Sequence, residues 1–316
     1  MNRIKLINLI SIVAASLLLA ACNNAAPSED TGRINVVTTI YPPADFASQV
    51  GGEYVNVNQL LKPGAESHTY EPTPKDILAI QNCDLFIYVG GESDAWIDDI
   101  LSSIDTSKVH TLKMIDAVDV LAEELVDGME EESEEGEGEE EELDEHVWTC
   151  VNNAALITDE ICEQLVLIDP EHEAYYKQNC DSYTEQLMAL DKEYRDVVSS
   201  AKRTEIIVAD RFPFRYMAHE YGLSYYAAFP GCSADSEPSA RTLSFLIDKA
   251  QEDNIPVVFH IEFSSEKIAD SVVEVCGAKK SLLHSCHNLS QDEWESGADY
   301  ISIMTQNLKN LEEALN

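Results

Sequence analysis

The chain has 316 residues, of which 59 are acidic and 20 are Lys or Arg, and its formal net charge at pH 7 is −39. A chain this acidic excludes a nucleic-acid partner, because binding to phosphates needs a basic surface. Apolar residues make up 45% of the chain. Over this length they are sufficient for the cores of two ordinary domains.

The N-terminus has the features of a secretory signal peptide. Two basic residues precede a short apolar run, and small residues stand before Cys22. Residues 19–22, Leu-Ala-Ala-Cys, resemble the lipobox of bacterial lipoproteins, in which the cysteine is lipidated and becomes the new N-terminus. A transmembrane anchor is the alternative, but polar residues interrupt a stretch that is only just long enough. We predict a signal peptide over 1–21 and a lipid-anchored tether over 22–33. The rest of the chain would then lie outside the cytoplasm, held at the bacterial cell membrane.

The N-terminal half of the mature chain alternates between strand and helix patterns. Apolar, β-branched runs predict strands near 34–40, 54–61, 84–89 and 109–112. Thr73 followed by Pro74 and Asp76 predicts the start of a helix, with Thr73 as its cap. This alternation is typical of a parallel sheet covered by helices, and it predicts an α/β lobe over 34–169.

An acidic segment over 123–145 interrupts this pattern. Most of its residues are Asp or Glu, with glycines between them. Repulsion between like charges and the lack of an apolar period predict a disordered surface loop. The segment is either a solvated spacer or a low-affinity collector of cations beside a binding site.

The longest helical pattern covers 170–201. It contains no internal Gly or Pro, and its tyrosines and aliphatic residues recur every three to four positions. A helix of this length would span ~48 Å, more than one small domain needs. It would therefore run along two lobes, and the strand–helix alternation that resumes over 202–316 predicts the second α/β lobe.

Two histidines occupy positions where α/β proteins bind ligands. His68 lies in the loop after the second predicted strand, and His146 directly follows the acidic segment. Loops beyond the carboxyl ends of parallel strands form binding sites, and neutral imidazole is the commonest metal ligand. Taken alone, however, His68 is more typical of an ordinary surface histidine, and His146 by itself is likewise uninformative.

The residues around these histidines carry a family resemblance. The sequence PGAESHTYEPTP at 63–74 is followed by Glu-His-Val-Trp at 145–148, His-Glu-Tyr-Gly at 219–222 and Glu-Pro-Ser-Ala at 237–240. In these stretches the chain resembles the solute-binding lipoproteins of zinc- and manganese-type ABC importers. The stretches follow the family order over nearly the whole mature chain.

The resemblance implies both a fold and a function. The family fold is two (β/α) lobes with parallel-type sheets, joined by one long rigid helix, with a metal ion in the cleft between the lobes. The implied function is that of an extracytoplasmic receptor, not an enzyme, which captures a transition-metal dication and delivers it to an ABC permease and its ATPase subunit. We expect a monomer that is attached to the membrane through the lipid on Cys22.

The resemblance implies a metal ligand at each of four positions. His68 falls on the first family histidine and His146 on the second. The third position falls on Ala209 or Arg211, neither of which binds metals, so Asp210 is the donor nearby. The fourth position falls on His284. The implied metal set is therefore these three histidines with Asp210.

Three further residues could bind the metal directly or hydrogen-bond to a ligand: Glu262, His287 and His260. Because three imidazoles favour Zn²⁺ over Mn²⁺, which prefers more oxygen donors, zinc is the expected metal and manganese the alternative. Affinity is expected to fall below about pH 6 as histidines become protonated.

Two other functions remain possible at this point. Three histidines with an open position can activate water, as in an extracytoplasmic zinc-dependent hydrolase, although neither HExxH nor GxSxG occurs. An adhesin-type lipoprotein with a role in cell adhesion is the other alternative, since some members of the resembled family have been described as adhesins.

Overall fold

A computed structural model describes residues 32–66, 70–129, 142–233 and 237–316. The predicted signal peptide, the predicted lipidation site Cys22, most of the predicted tether and His68 lie outside these residues. Residues 34–316 form one compact unit.

The first sheet has four parallel strands: β1 (Ile34–Thr38), β2 (Val55–Gln59), β3 (Leu85–Tyr88) and β4 (His110–Lys113), in the order β2-β1-β3-β4. The first strand is central, and Val36 of β1 pairs with both Val57 and Leu85. Because this strand is covered on both faces, its residues form a nearly continuous apolar run. The parallel sheet predicted for this lobe is confirmed.

The second sheet repeats the arrangement with β5 (Glu205–Phe212), β6 (Ser224–Pro230), β7 (Val257–His260) and β8 (Lys279–Leu282), in the order β6-β5-β7-β8. All of its pairs are parallel. The register between β5 and β6 shifts between Val208 and Arg211. Such an irregularity turns the end of a strand, and here it falls where β5 reaches the site described below.

Helices connect the strands: α1 (Tyr41–Gly51), α2 (Pro74–Gln81), α3 (Trp96–Ser103), α4 (Val151–Ile168), α5 (Glu173–Ser200), α6 (Arg215–Tyr221), α7 (Ala240–Glu252), α8 (Lys267–Cys276), α9 (Gln291–Ser296) and α10 (Tyr300–Leu315).

The predicted start of α2 is confirmed. The Thr73 side chain accepts from the Asp76 backbone N–H, and the Asp76 carboxylate accepts from the Thr73 N–H, which makes a complete capping box.

The long helix α5 packs on both halves of the molecule, as the sequence predicted. Its buried residues recur every three to four positions. The Tyr183 hydroxyl donates to Asp45 of α1 at 2.8 Å, and the Tyr194 hydroxyl donates to the Met304 carbonyl of α10 at 2.7 Å. Its 28 residues form one uninterrupted helix, about 42 Å long.

The acidic segment is more ordered at its ends than the sequence suggested. Ala122 and Leu143 form an antiparallel bridge, and the Glu123 N–H donates to the Glu142 carbonyl at 2.8 Å. Asp144 and Glu145 are buried. His146 donates to the Asp144 carboxylate and the remote Ser93 donates to Glu145, so these two carboxylates are held in place despite their like charge. The disordered loop stays a prediction for the middle of the segment. Residues 130–141 lie outside the described part of the chain.

Within the described residues, no helix has both the length and the apolar character needed to cross a membrane.

Candidate metal centre

His146 is held by a carboxylate two residues before it. The ring is fully buried, and Asp144 Oδ1 lies 3.0 Å from its Nδ1 and accepts from its backbone N–H at 2.8 Å. Burial disfavours the charged imidazole, but the Asp144 carboxylate outweighs this effect and raises the pKa of His146. A carboxylate on one ring nitrogen fixes the orientation of an imidazole, as is typical of metal-binding histidines.

His287 lies against His146 on the loop that follows β8. The two ring centroids are 4.8 Å apart and the rings are nearly perpendicular, at 89°. The Ser285 hydroxyl lies 3.2 Å from His287 Nδ1, and the His287 carbonyl accepts from the Tyr41 N–H at the start of α1. Contacts from both halves of the molecule therefore position this side chain.

Glu145 completes a group of three possible ligands. One ligand atom from each of Glu145, His146 and His287 lies within 4.8 Å of the others. Both Glu145 oxygens also accept from Ser93, one from its backbone N–H and one from its hydroxyl. Two nitrogens and one oxygen at this spacing are a suitable donor set for a transition-metal dication.

These histidines line a pocket at the carboxyl ends of the strands of both sheets. We call it the His146 pocket, and its walls are formed by Ala65, Glu66, His146, Arg211, Pro213, Gly231, Ile261, Glu262, Phe263, Ser285 and His287. A Cβ at Gly231 would lie 3.2 Å from the His146 ring and 3.0 Å from the Phe212 carbonyl oxygen. The loop after β6 can therefore approach the imidazole this closely only without a side chain. His287 and Glu145 also line a neighbouring pocket with Thr39, Tyr70 and Trp148.

An ion pair crosses the His146 pocket. Arg211 Nη2 of β5 lies 3.3 Å from Glu66 Oε2, which belongs to the loop after β2. A second pair between the two halves joins Arg215 and Glu124 at 3.2 Å, and neither of these residues lines the pocket. Arg211 is one of the two residues, with Ala209, on which the third family ligand position falls.

His284, which the sequence placed in the metal set, lies elsewhere. Its ring is buried, with Nδ1 3.5 Å from Glu262 Oε1 and Nε2 3.4 Å from Glu293 Oε1. Its backbone is held by the Asn307 side chain. Burial disfavours the charge, but the Glu262 carboxylate and Glu293 outweigh it and raise the pKa of His284. The structure brings His146 together with His287, and His284 is not part of the pocket wall.

Asp210 is also held by partners other than the imidazoles. It accepts from the Arg211 N–H at 3.0 Å. Burial raises the pKa of Asp210, although a hydrogen bond from Ser264 opposes the shift. Asp210 does not line the His146 pocket. The metal set of His68, His146, His284 and Asp210 therefore stays a prediction, with His68 outside the described residues.

The three reserve donors have separate positions. Glu262 lines the His146 pocket and accepts from the Ser285 N–H at 2.7 Å and from its hydroxyl. His287 is the histidine that meets His146. His260 points Nδ1 at the Ile261 carbonyl, 3.0 Å away, and is not among the pocket residues.

Sequence reasoning gave His287 too little weight and did not consider Glu66. One signal for Glu66 was available. An arginine at a ligand position needs a carboxylate partner, and Glu66 stands in the same motif as His68. The sequence could not reveal the pairing itself, because the two residues lie 145 positions apart.

Two α/β lobes with a donor-lined pocket at the ends of both sheets define the fold of a solute-binding protein. Residues 36–314 match the family described as zinc-uptake complex component A, periplasmic (ZnuA), and the chain belongs to this family.

Its relatives include proteins named for zinc. The chain is 36% identical over 312 residues to the high-affinity zinc uptake system protein ZnuA of Bacillus subtilis, with 96% of each chain covered. It is 34% identical over 312 residues to the zinc-binding lipoprotein AdcA of Streptococcus pneumoniae, with 98% of this chain and 61% of AdcA covered. The chain thus spans about three fifths of the length of AdcA.

Among solved structures, the Zn(II)-bound ZnuA-like domain of Streptococcus pneumoniae AdcA superposes with a TM-score of 0.74 at 31% identity. The match covers 90% of this chain and 99% of that domain. The two-lobed fold implied by the family resemblance is therefore confirmed.

Proposed function

We propose that this chain is the metal-binding receptor of an ABC importer, which captures Zn²⁺ outside the cytoplasm and delivers it to a membrane permease driven by an ATPase. The observation that carries the proposal is the meeting of His146, His287 and Glu145, whose ligand atoms all lie within 4.8 Å of one another. The family membership and the zinc-related names of both relatives support it.

Zinc fits this site better than manganese. Imidazole nitrogens are borderline-soft donors that suit Zn²⁺, whereas Mn²⁺ prefers carboxylate, carbonyl and water oxygens. Two imidazoles with one carboxylate make a mixed nitrogen and oxygen set close to the four-coordinate sites that zinc prefers. Mn²⁺ is the alternative cargo. His68, predicted from the sequence, is the candidate for a further nitrogen.

The mechanism is capture rather than catalysis. The imidazoles and the carboxylate replace the water shell of the ion, and the buried surroundings of His146 strengthen the attraction between opposite charges. Asp144 keeps the His146 ring in one orientation, so less order has to be gained when the metal binds. The ion then leaves unchanged to the permease.

Location and attachment follow from the N-terminus and the relatives. A lipid on Cys22 would hold the receptor at the membrane surface, near the permease, and AdcA is itself named a lipoprotein. We propose that it acts there as a monomer. The relatives above 30% identity are named for zinc binding and uptake, so the hydrolase and adhesin alternatives are not favoured.

Metal titration of the purified chain tests the proposal. Calorimetry and native mass spectrometry are expected to show one Zn²⁺ per chain with a submicromolar Kd, about −8 kcal/mol or stronger, and weaker binding of Mn²⁺. A metal-free preparation that takes up neither ion would refute the receptor function. Zinc-dependent turnover of ester or peptide substrates would favour the hydrolase instead.

A further inference from the structure

The pair of Glu66 and Arg211 lies inside the pocket where the metal is proposed to bind. Both side chains line the His146 pocket together with His287, and one guanidinium nitrogen lies 3.3 Å from Glu66 Oε2. The Arg211 side chain is only 16% exposed and that of Glu66 30%. The pair is therefore part of the pocket wall rather than of the outer surface.

An arginine at this position is unfavourable for a cation site. Guanidinium stays charged at every physiological pH. A like charge about 4 Å from a bound cation costs about 4 kcal/mol per unit charge when the effective dielectric constant is about 20. A carboxylate placed between the two positive charges removes this repulsion, because it attracts both of them.

Glu66 has the chemistry to be that carboxylate. An ionised carboxyl group has two oxygens with about four lone-pair sites, and Arg211 contacts only Oε2. Ligating carboxylates are commonly held by a hydrogen bond on their other oxygen, which fixes their orientation.

Glu145 is the other oxygen donor at the site. It lies nearer to the two imidazoles. Ser93 of the first lobe donates once to each of its oxygens, which leaves lone pairs for a metal. Glu66 would add a second oxygen ligand to this group through the oxygen that Arg211 does not contact.

We propose that Glu66 supplies an oxygen ligand to the metal held by His146 and His287, and that Arg211 is the positioning residue that holds its carboxylate at the pocket. This inference rests on the proposed function. It also accounts for the arginine at one of the two residues, Ala209 or Arg211, on which the third family ligand falls: the loop after β2 supplies the ligand instead, and Arg211 orients it.

The test compares two ion pairs that both join the two lobes. In the full chain, zinc affinity is measured by chelator competition, and the coordination sphere is followed by the visible absorption of bound Co²⁺. Glu66→Gln is expected to lower zinc affinity by about 10- to 100-fold and to change the Co²⁺ spectrum. Arg211→Gln removes a positive charge from the pocket but also releases Glu66, so its decisive readout is the Co²⁺ spectrum, which is expected to change, though less than in Glu66→Gln.

The matched controls are Glu124→Gln and Arg215→Gln, which break the pair outside the pocket. They are expected to leave zinc affinity within about twofold of the unmodified chain and the Co²⁺ spectrum unchanged. If Glu66→Gln proves unstable, the Co²⁺ spectrum of Arg211→Gln tests the proposal in its place. A pair with only a structural role would change the stability of the chain but not this spectrum.

The outcomes separate this inference from the function on which it rests. An unmodified chain that binds no metal would refute the receptor itself. If the unmodified chain binds zinc while Glu66→Gln keeps the full affinity and the same Co²⁺ spectrum, Glu66 is not a ligand and the receptor function stands. A spectrum that changes in Glu145→Gln but not in Glu66→Gln would assign the oxygen to Glu145 and also overturn the proposal.

Discussion

His146 and His284 are both buried histidines with carboxylates beside them, but the two environments differ in what the carboxylates do. At His146, Asp144 engages Nδ1, and the ring lines a pocket beside a second imidazole. At His284, both ring nitrogens lie within 3.5 Å of a carboxylate, one from Glu262 and one from Glu293.

We expect this difference to distinguish a metal ligand from a histidine with a structural role. One carboxylate orients an imidazole and increases its basicity, which favours a metal on the ring. At His284 the Cys286 backbone N–H donates to Nδ1 at 2.9 Å and Glu293 faces Nε2, so both ring nitrogens already have partners and neither is open to a metal. Burial of a histidine therefore does not identify a ligand, and the number and placement of its acidic neighbours are more informative.

The same substitution at His146 and at His284 is the strongest test of the difference between them. His146→Ala is expected to lower zinc affinity by at least about 100-fold, since losing a ligand costs more than losing its support. His284→Ala is expected to leave zinc affinity within about threefold. It should instead lower the free energy of unfolding by about 3 kcal/mol, because the mostly buried Glu262 carboxylate loses its partner.

Zinc competition at pH 7 and urea unfolding of the metal-free forms measure both effects. A loss of zinc affinity at His284 as large as at His146 would place His284 in the metal set and remove the distinction. Because His284→Ala leaves a cavity, His284→Gln serves as a second variant of similar volume.

A smaller effect is expected when the carboxylate beside each histidine is neutralised. Asp144→Asn preserves the shape of the side chain but weakens its hold on His146 Nδ1, and zinc affinity should fall by about tenfold. Glu293→Gln, the corresponding change beside His284, is expected to leave zinc affinity unchanged. Equal losses in the two variants would mean that charge near the pocket, and not ligand orientation, controls affinity.

Much of the fold could be predicted because its signals are local. Apolar runs such as Ile34–Thr38 identify buried strands, and the cap at Thr73 and the unbroken period of α5 depend on neighbours within a few residues. The strand β8 gives no such signal. Its sequence, Lys-Lys-Ser-Leu, lies at the edge of the sheet and is only partly buried.

The site was less predictable because its contacts are remote in sequence. His284 and His287 stand three positions apart, and no local pattern shows that Glu262 and Glu293 meet the first while His146 meets the second. Family position favoured His284, but tertiary packing placed His287 at the pocket. The same limit hid the contact between Arg211 and Glu66.

The smallest expected effect concerns stability as a function of pH at the His284 ion pair. His284 and hydrogen bonds from Ser290 lower the pKa of Glu293 from its usual 4.5 to about 2. A lowered carboxyl pKa stabilises the fold above pH 4.5, and this contribution is lost as pH falls towards 2. The raised pKa of His284 acts in the opposite direction. Its contribution is complete below pH 6.5 and is lost as pH rises through the folded-state value.

The pair should therefore contribute most between about pH 4.5 and 6.5. Within that window, Glu293→Gln is expected to reduce the free energy of unfolding by about 1 to 2 kcal/mol. This range is discounted because solvent screens a side chain that is about one third exposed. The difference between the variant and the unmodified chain should shrink as pH falls towards 2.

Glu295→Gln, at an exposed position on the same helix, is the matched control and should show no such window. Urea midpoints measured from pH 3 to 8 would reveal it. A penalty for Glu293→Gln that stays constant over this range would show that the helix cap at Ser290, and not the charge on His284, depends on Glu293. In that case the contrast between the two histidines would lose its electrostatic basis.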